Sequence, residues 1–365
     1  MKIPKRLNKK GATDLREGSE KGDTVAKEKA DAMDIFGLTV NQSRLLFSIE
    51  KYLVGKDIEN SKKDRDRKIE WLRKWEKSIL DYLQTLDDSI DSLYGLFDIH
   101  VQVKEEKVKE KKLTWYYFIV MEAMLFHAYS PVDDDIKRYK GLKYKNQLDD
   151  LKEFIKVDGL IDSSFVDTAK DSYNLAVKKI SGNNKRIFTL LPTIALAIAV
   201  AALCSAFAGP IAIMLVGGNF AGLSGAALTS ASLALLGGGA IAAGGAGMAG
   251  GTAVIVGGGA LLGFVTGGTA SAASLALLSA PEYVVIECAK IEVAIQEILI
   301  KSLNDVSGAK SVLEKFKDGI DSLEMEIKTL EKNKEKKSEV KKIKKSLLFM
   351  QNTANYCEDY IRMNS

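Results

Sequence analysis

The apolar positions of this chain follow two different rules. In the flanks they recur at spacings of three and four among charged residues, the period of a helix with one buried face; from Ile187 to Pro281, 95 consecutive residues contain no Asp, Glu, Lys, Arg or His. The first rule predicts soluble helices. The second predicts a segment of another kind.

In the N-terminal flank the spacing predicts an amphipathic helix from Ile35 to Val54, carried by Leu38, Leu45, Leu46, Ile49 and Leu53 and ended by Gly55. A charged stretch then leads to a long helix whose positions Ile79, Leu83, Leu86, Ile90, Leu93 and Phe97 alternate steps of four and three, a heptad seam. The charged run Lys104 to Lys112 ends one helix or bridges to the next. Leu113 to Tyr129 is apolar apart from Glu122 and His127, and at 17 residues it is short for a membrane crossing, so a buried core helix is expected. Ser130 and Pro131 stop it. Further amphipathic helices are expected from Val132 to Phe154 and from Ser164 to Ile180.

In the C-terminal flank Ile295, Leu299, Ser302, Val306, Ala309, Leu313, Phe316, Ile320, Leu323, Ile327 and Leu330 hold the four-three spacing for five heptads. They predict one unbroken helix about 50 Å long. Lysines take over from Lys332 to Lys345, eight of them, and a last amphipathic piece runs from Ser346 to Ile361. Each long seam leaves a stripe uncovered, so the first and last are expected to pack against each other.

The uncharged block is long enough for two to four helical crossings at about 20 residues each. Its first part can insert by itself, because Phe188, Leu190, Leu191, Ile194, Leu196, Ile198, Val200, Leu203 and Phe207 are large and apolar. Lys185 and Arg186 stand just before it, placed for lipid headgroups. Val254, Ile255, Leu261, Leu262 and Phe264 supply the apolar weight of the second arm of an inserting hairpin, Ala253 to Leu278. Gly247 and Gly251, and Gly259, Gly263 and Gly267, are spaced four apart and would let helices pack closely in a membrane. Thr252 to Val256, bounded by glycines, also suits a short strand in a β-tongue.

The formal dinucleotide pattern Gly245-Ala246-Gly247-Met248-Ala249-Gly250 lacks a ribose-binding acid about 20 residues later, so no nucleotide cofactor is expected. Cys204, Cys288 and Cys357 are too far apart for a disulfide framework or a zinc spacing and read as packed thiols. His100 and His127 are the only histidines, and no acid stands beside either in the sequence; both are expected to be packing or capping residues. Asp133, Asp134 and Asp135 suit a helix first turn better than a metal cluster. Trp71, Trp75, Trp115, Tyr116 and Tyr117 could form a membrane-interface belt, with core packing the expected role. No nucleophile with a base can be assembled, which argues against an enzyme. A net charge of +4 over 365 residues is too small to mark a nucleic-acid binder, and the lysine tract is expected to be a solvated face, with attraction to anionic lipid as the alternative.

The order of long amphipathic helices, one central hydrophobic segment and a heptad-patterned helix back resembles the α-helical pore-forming toxins of the cytolysin A, haemolysin BL and non-haemolytic enterotoxin group. That resemblance, in layout from Asp34 to Ile361, implies a soluble helical rod whose hydrophobic head swings out, inserts and oligomerises. The glycine-alanine block is also similar in composition to membrane-associated segments of apolipoprotein L-like proteins.

The expected fold is therefore all-α: an elongated bundle of long antiparallel helices with a membrane-inserting head. The expected divisions are a flexible polar tail (1–31), an N-terminal helical bundle (32–186), the hydrophobic segment (187–281), and a long helix with its tail helix (282–365). The expected function is membrane permeabilisation by a toxin or defence effector that acts on a lipid bilayer as a homo-oligomer, alone or with a second protein component, and without nucleic acid, metal or cofactor. The alternative is a permanent membrane scaffold whose coiled coils recruit a partner. The basic N-terminus leads into no apolar run, which favours a cytoplasmic protein that later meets a membrane, or export by a non-classical route.

Overall fold

The computed structural model describes residues 38–129, 138–182, 278, 280–332 and 337–365. Over these residues the fold is all-α, and no described helix is long and apolar enough to cross a membrane. Helix α1 (Val40–Glu59) starts at a capping box: Thr39 Oγ1 accepts from the Gln42 amide at 3.2 Å, and the Gln42 side chain accepts from the Thr39 amide at 3.0 Å. That reciprocal pair sets the start at Val40 rather than Ile35. Gly55 does not end the helix. Ile58 is buried one turn later, and Lys56 is held by Asp150 at 3.0 Å, so contacts outweigh a glycine's roughly 1 kcal/mol helix penalty.

Helix α2 (Arg65–Leu86) packs on α1 with Trp71 and Trp75 stacked, ring centroids 5.9 Å apart, against Phe126. The heptad seam expected to run on to Phe97 breaks after Leu86. Asp87 Oδ1 accepts from both the amide and the hydroxyl of Ser89, a local turn that competes with helix continuation. Ile90 and Leu93 still reach the core from the loop, but Phe97 is exposed. Helix α3 (Leu96–Lys109) then packs on α1 and ends within the charged run.

Helix α4 (Thr114–Leu125) is apolar on every side apart from Glu122 and packs against α1, α5 and α6. Trp115 and Tyr116 are buried, so this aromatic group serves the core. Helix α5 (Gln147–Asp158) is much shorter than the Val132–Phe154 expectation, because residues 138–146 form turns through Gly141 at φ +90°. Helix α6 (Phe165–Ser181) buries Val166, Ala169, Tyr173, Ala176, Val177 and Ile180 along one stripe and ends at Gly182.

Helix α7 (Pro281–Val293) has proline in its first turn and buries every residue except the half-buried Glu282. It passes into a π-helical segment (Ala294–Ser302), and the chain turns at Asn304, φ +50°, before α8 (Val306–Lys332) and α9 (Lys337–Met363). The expected unbroken 50 Å helix is thus two helices. Asp305 Oδ1 accepts from the Gly308 amide at 2.8 Å, capping a new helix where the heptad pattern reads straight through. Among the described residues the main partner of the α8 seam is not the first seam. Helix α8 packs on α9, with Glu331 beside Lys344, Glu324 beside Gln351 and Lys317 beside Glu358, so these two helices run in opposite directions.

Candidate functional site

The uncharged segment lies between α6 and α7, and these two helices pack closely. Ser172 Oγ donates to Glu297 at 2.5 Å, and Lys179 pairs with Glu292. Stepping forward from Ser172 to Lys179 on α6 steps backward from Glu297 to Glu292. The chain therefore leaves α6 and re-enters α7 at one end of the pair.

Six to nine residues into α7 lies a buried charge cluster. Lys290 Nζ is 3.0 Å from Glu122 Oε2 on α4 and 3.6 Å from Glu287 on its own helix, while Glu50 of α1 faces the same group at 2% exposure. Three carboxyl groups share one ammonium. Burial pushes Glu50 well above the usual carboxylate range, and the charge on Glu122 adds to this. Burial likewise raises Glu287 against the pull of Lys290. Burial opposes the charge on Lys290, but Glu122 and Glu287 overcome it and hold its pKa above the ordinary lysine value. Both Glu287 carboxylate oxygens, Glu122 Oε1 and Glu50 Oε2 are buried without hydrogen bonds among the described residues. Such a cluster joins α1, α4 and α7 through charge while keeping the junction expensive to desolvate.

The sequence signal for this cluster is present but easily passed over: Glu122 interrupts YYFIVMEAML, and Glu287 and Lys290 interrupt YVVIECAKIEVAI. Single charges in such apolar runs must find partners from other helices. The same is true of His100. Its Nδ1 lies 2.5 Å from Asp158 Oδ1, an acid 58 residues away that the sequence could not place beside it, and its ring stacks on Phe154. Asp158 also accepts from Tyr116 at 2.6 Å. His127 is partly buried, and burial followed by the Lys170 charge lowers its pKa to about 4.

Cys288 and Cys357 are buried free thiols whose pKa values burial pushes up, which suits packing rather than nucleophilic attack. Among the described residues no group of His, Cys, Asp and Glu is arranged to hold a metal ion. The expected insertion residues Phe188 to Phe207 and Val254 to Phe264, the spaced glycines Gly247 to Gly267, the headgroup pair Lys185 and Arg186, Cys204 and the Asp133–Asp135 run lie outside the described residues. Comparisons of the chain with protein-family models, curated proteins and solved structures give no match.

Proposed function

We propose that this chain is a non-enzymatic, membrane-permeabilising helical protein. The flanking helices form an elongated, antiparallel, water-soluble framework that carries the uncharged segment, and that segment enters a bilayer when the protein oligomerises. The observation that carries this reading is a run of 95 residues without an ionisable group, whose two ends meet the helical framework at one end of the α6–α7 pair. Ionisable groups are the residues hydrocarbon excludes most strongly, at about 2.5–3.5 kcal/mol each on insertion scales. Their complete absence over this length, beside flanks that hold all 100 of the Lys, Arg, Asp and Glu residues, suits contact with lipid.

Ile187 to Ala208 and Ala253 to Leu278 form the inserting hairpin in this reading, and Gly259, Gly263 and Gly267 line its close contact. The test is dye release from loaded liposomes by purified protein. Release with a rise in particle mass on lipid supports the reading, and Gly263→Leu should then reduce release while leaving the helical content in buffer unchanged. Absence of both release and membrane association, across lipid compositions and pH, would end it. Recovery of the protein only from membranes, with no release, would favour the permanent scaffold.

A further inference from the structure

The α8–α9 hairpin and α7 share a level along the molecule that the contacts define. Cys288 of α7 lies by Thr353 of α9, Glu292 by Cys357 and Lys301 by Tyr360, and Lys179, which pairs with Glu292, also sits over the Tyr356 ring at 4.2 Å, so α7 with its π segment and α9 advance in the same direction. Continuing that register toward lower numbers sets Pro281 level with about residue 346 of α9. Lys337 then projects about 14 Å past it, at about 1.5 Å per residue. The projecting end of the hairpin is the end at which the uncharged segment leaves α6 and re-enters α7.

That projecting end is basic. Lys328, Lys332, Lys337, Lys341, Lys342, Lys344 and Lys345 are all exposed there, while Val340, Ile343 and Ser346 face inward. Glu331 pairs with Lys344; Lys332, Lys337, Lys341 and Lys342 make no ion pair among the described residues. From Lys328 to Lys345 the sequence holds nine lysines against three glutamates, Glu331, Glu335 and Glu339, an excess of positive charge that a solvated helix does not need, since more acids spaced among the lysines would stabilise it further. We infer that the lysine-rich end of the α8–α9 hairpin is a docking surface for anionic lipid headgroups, which sets the uncharged segment against the bilayer. This rests on the membrane reading above and adds the lipid class and the surface that selects it. Flexible lysine ammonium groups suit a diffuse layer of headgroups, and each lysine near such a surface strengthens partitioning about fivefold.

The test is co-sedimentation of the full chain with phosphatidylcholine vesicles, with or without a third of phosphatidylserine, at 0.1 M and 0.5 M salt. A variant carrying Lys332→Gln, Lys337→Gln, Lys341→Gln and Lys342→Gln is compared with one carrying Lys62→Gln, Lys63→Gln, Lys104→Gln and Lys107→Gln, which removes equal charge from exposed sites on the other flank. Glutamine keeps helix propensity, and circular dichroism checks that both variants fold. The expected result is at least a tenfold loss of phosphatidylserine-dependent binding in the first variant only, with binding of the wild type weakened by salt. Equal losses in both variants, no loss in either, or no wild-type binding to the anionic vesicles would overturn the inference. So would tighter binding to a duplex oligonucleotide that displaces the vesicles. Dye release is read on the same samples: release that persists without lipid-charge preference removes this surface but keeps the permeabilising function, whereas charge-dependent binding without release keeps the surface and removes that function.

Discussion

Lys290 Nζ sits 3.0 Å from Glu122 Oε2, joining the helix that follows the uncharged segment to a helix 168 residues earlier in the chain. Both groups are largely enclosed, so removing either leaves a buried charge without its partner. Lys290→Met is expected to destabilise the fold by about 3–5 kcal/mol, the range for breaking a buried pair. Urea unfolding followed by circular dichroism measures it. A loss below about 1 kcal/mol would mean that the carboxyl groups simply take up protons and that the pair contributes little.

Glu50 is expected to behave in the opposite way. Its carboxyl is neutral more readily in the folded core than in the unfolded chain, because burial and then Glu122 raise its pKa. Its favourable contribution is therefore complete below the unfolded value near 4.5 and is lost as pH rises toward the folded value. Glu50→Gln should unfold at a higher temperature than the wild type at pH 8, with the difference vanishing at pH 4. Thermal melts at the two pH values decide it, and a variant less stable at pH 8 would show that the ionised carboxylate is used.

His127 makes the fold sensitive to acid. Its folded pKa is lowered from 6.5 to about 4, by burial first and by Lys170 second, so the unfolded chain takes up a proton that the folded chain refuses. The stability it contributes is whole above pH 6.5 and is lost as pH falls toward 4. Paired carboxylates such as Glu70, Glu106 and Asp305, whose pKa values are lowered, lose their contribution at lower pH, below about 4.5. Glu50 and Glu287 act with the reverse sign, so the comparison must be with His127→Gln rather than with an absolute slope. Melting temperature measured from pH 7 to 4.5 should fall more steeply for the wild type than for His127→Gln. Parallel curves would show that the imidazole does not titrate with unfolding.

How much of this was legible in the sequence depends on range. Helix type follows from local spacing, so α6 lies within a residue of the Ser164–Ile180 expectation, and the apolar run at Leu113 is a core helix. Helix ends follow from side-chain hydrogen bonds, which overrule periodicity at Thr39, Asp87 and Asp305. The seam from Ile295 to Leu330 misleads for a physical reason. Ile295, Leu299, Ala309 and Leu313 are all buried, but the turn at Asn304 puts the first two on the π-helical segment and the last two on α8. Long-range partners were out of reach altogether. Nothing local to Lys290 names Glu122, and nothing near His100 names Asp158.

The turn at Asn304 itself supplies a test in which two substitutions should not add. Asp305 accepts from the Gly308 amide at 2.8 Å and pairs with Lys112 at 2.8 Å, so Asp305→Ala should cost about 1 kcal/mol through the lost cap. A Cβ built on Gly308 would fall 2.9 Å from the Asp305 carboxyl carbon, so Gly308→Ala must push the cap aside and should also destabilise. Once Asp305 is alanine that obstruction is gone, and alanine is favoured over glycine within a helix by about 1 kcal/mol. Gly308→Ala should then become neutral or stabilising in the Asp305→Ala background. Urea unfolding of the wild type, both single variants and the double variant gives the coupling directly. If Gly308→Ala costs the same with and without Asp305, the break in the long seam is held by something other than this cap.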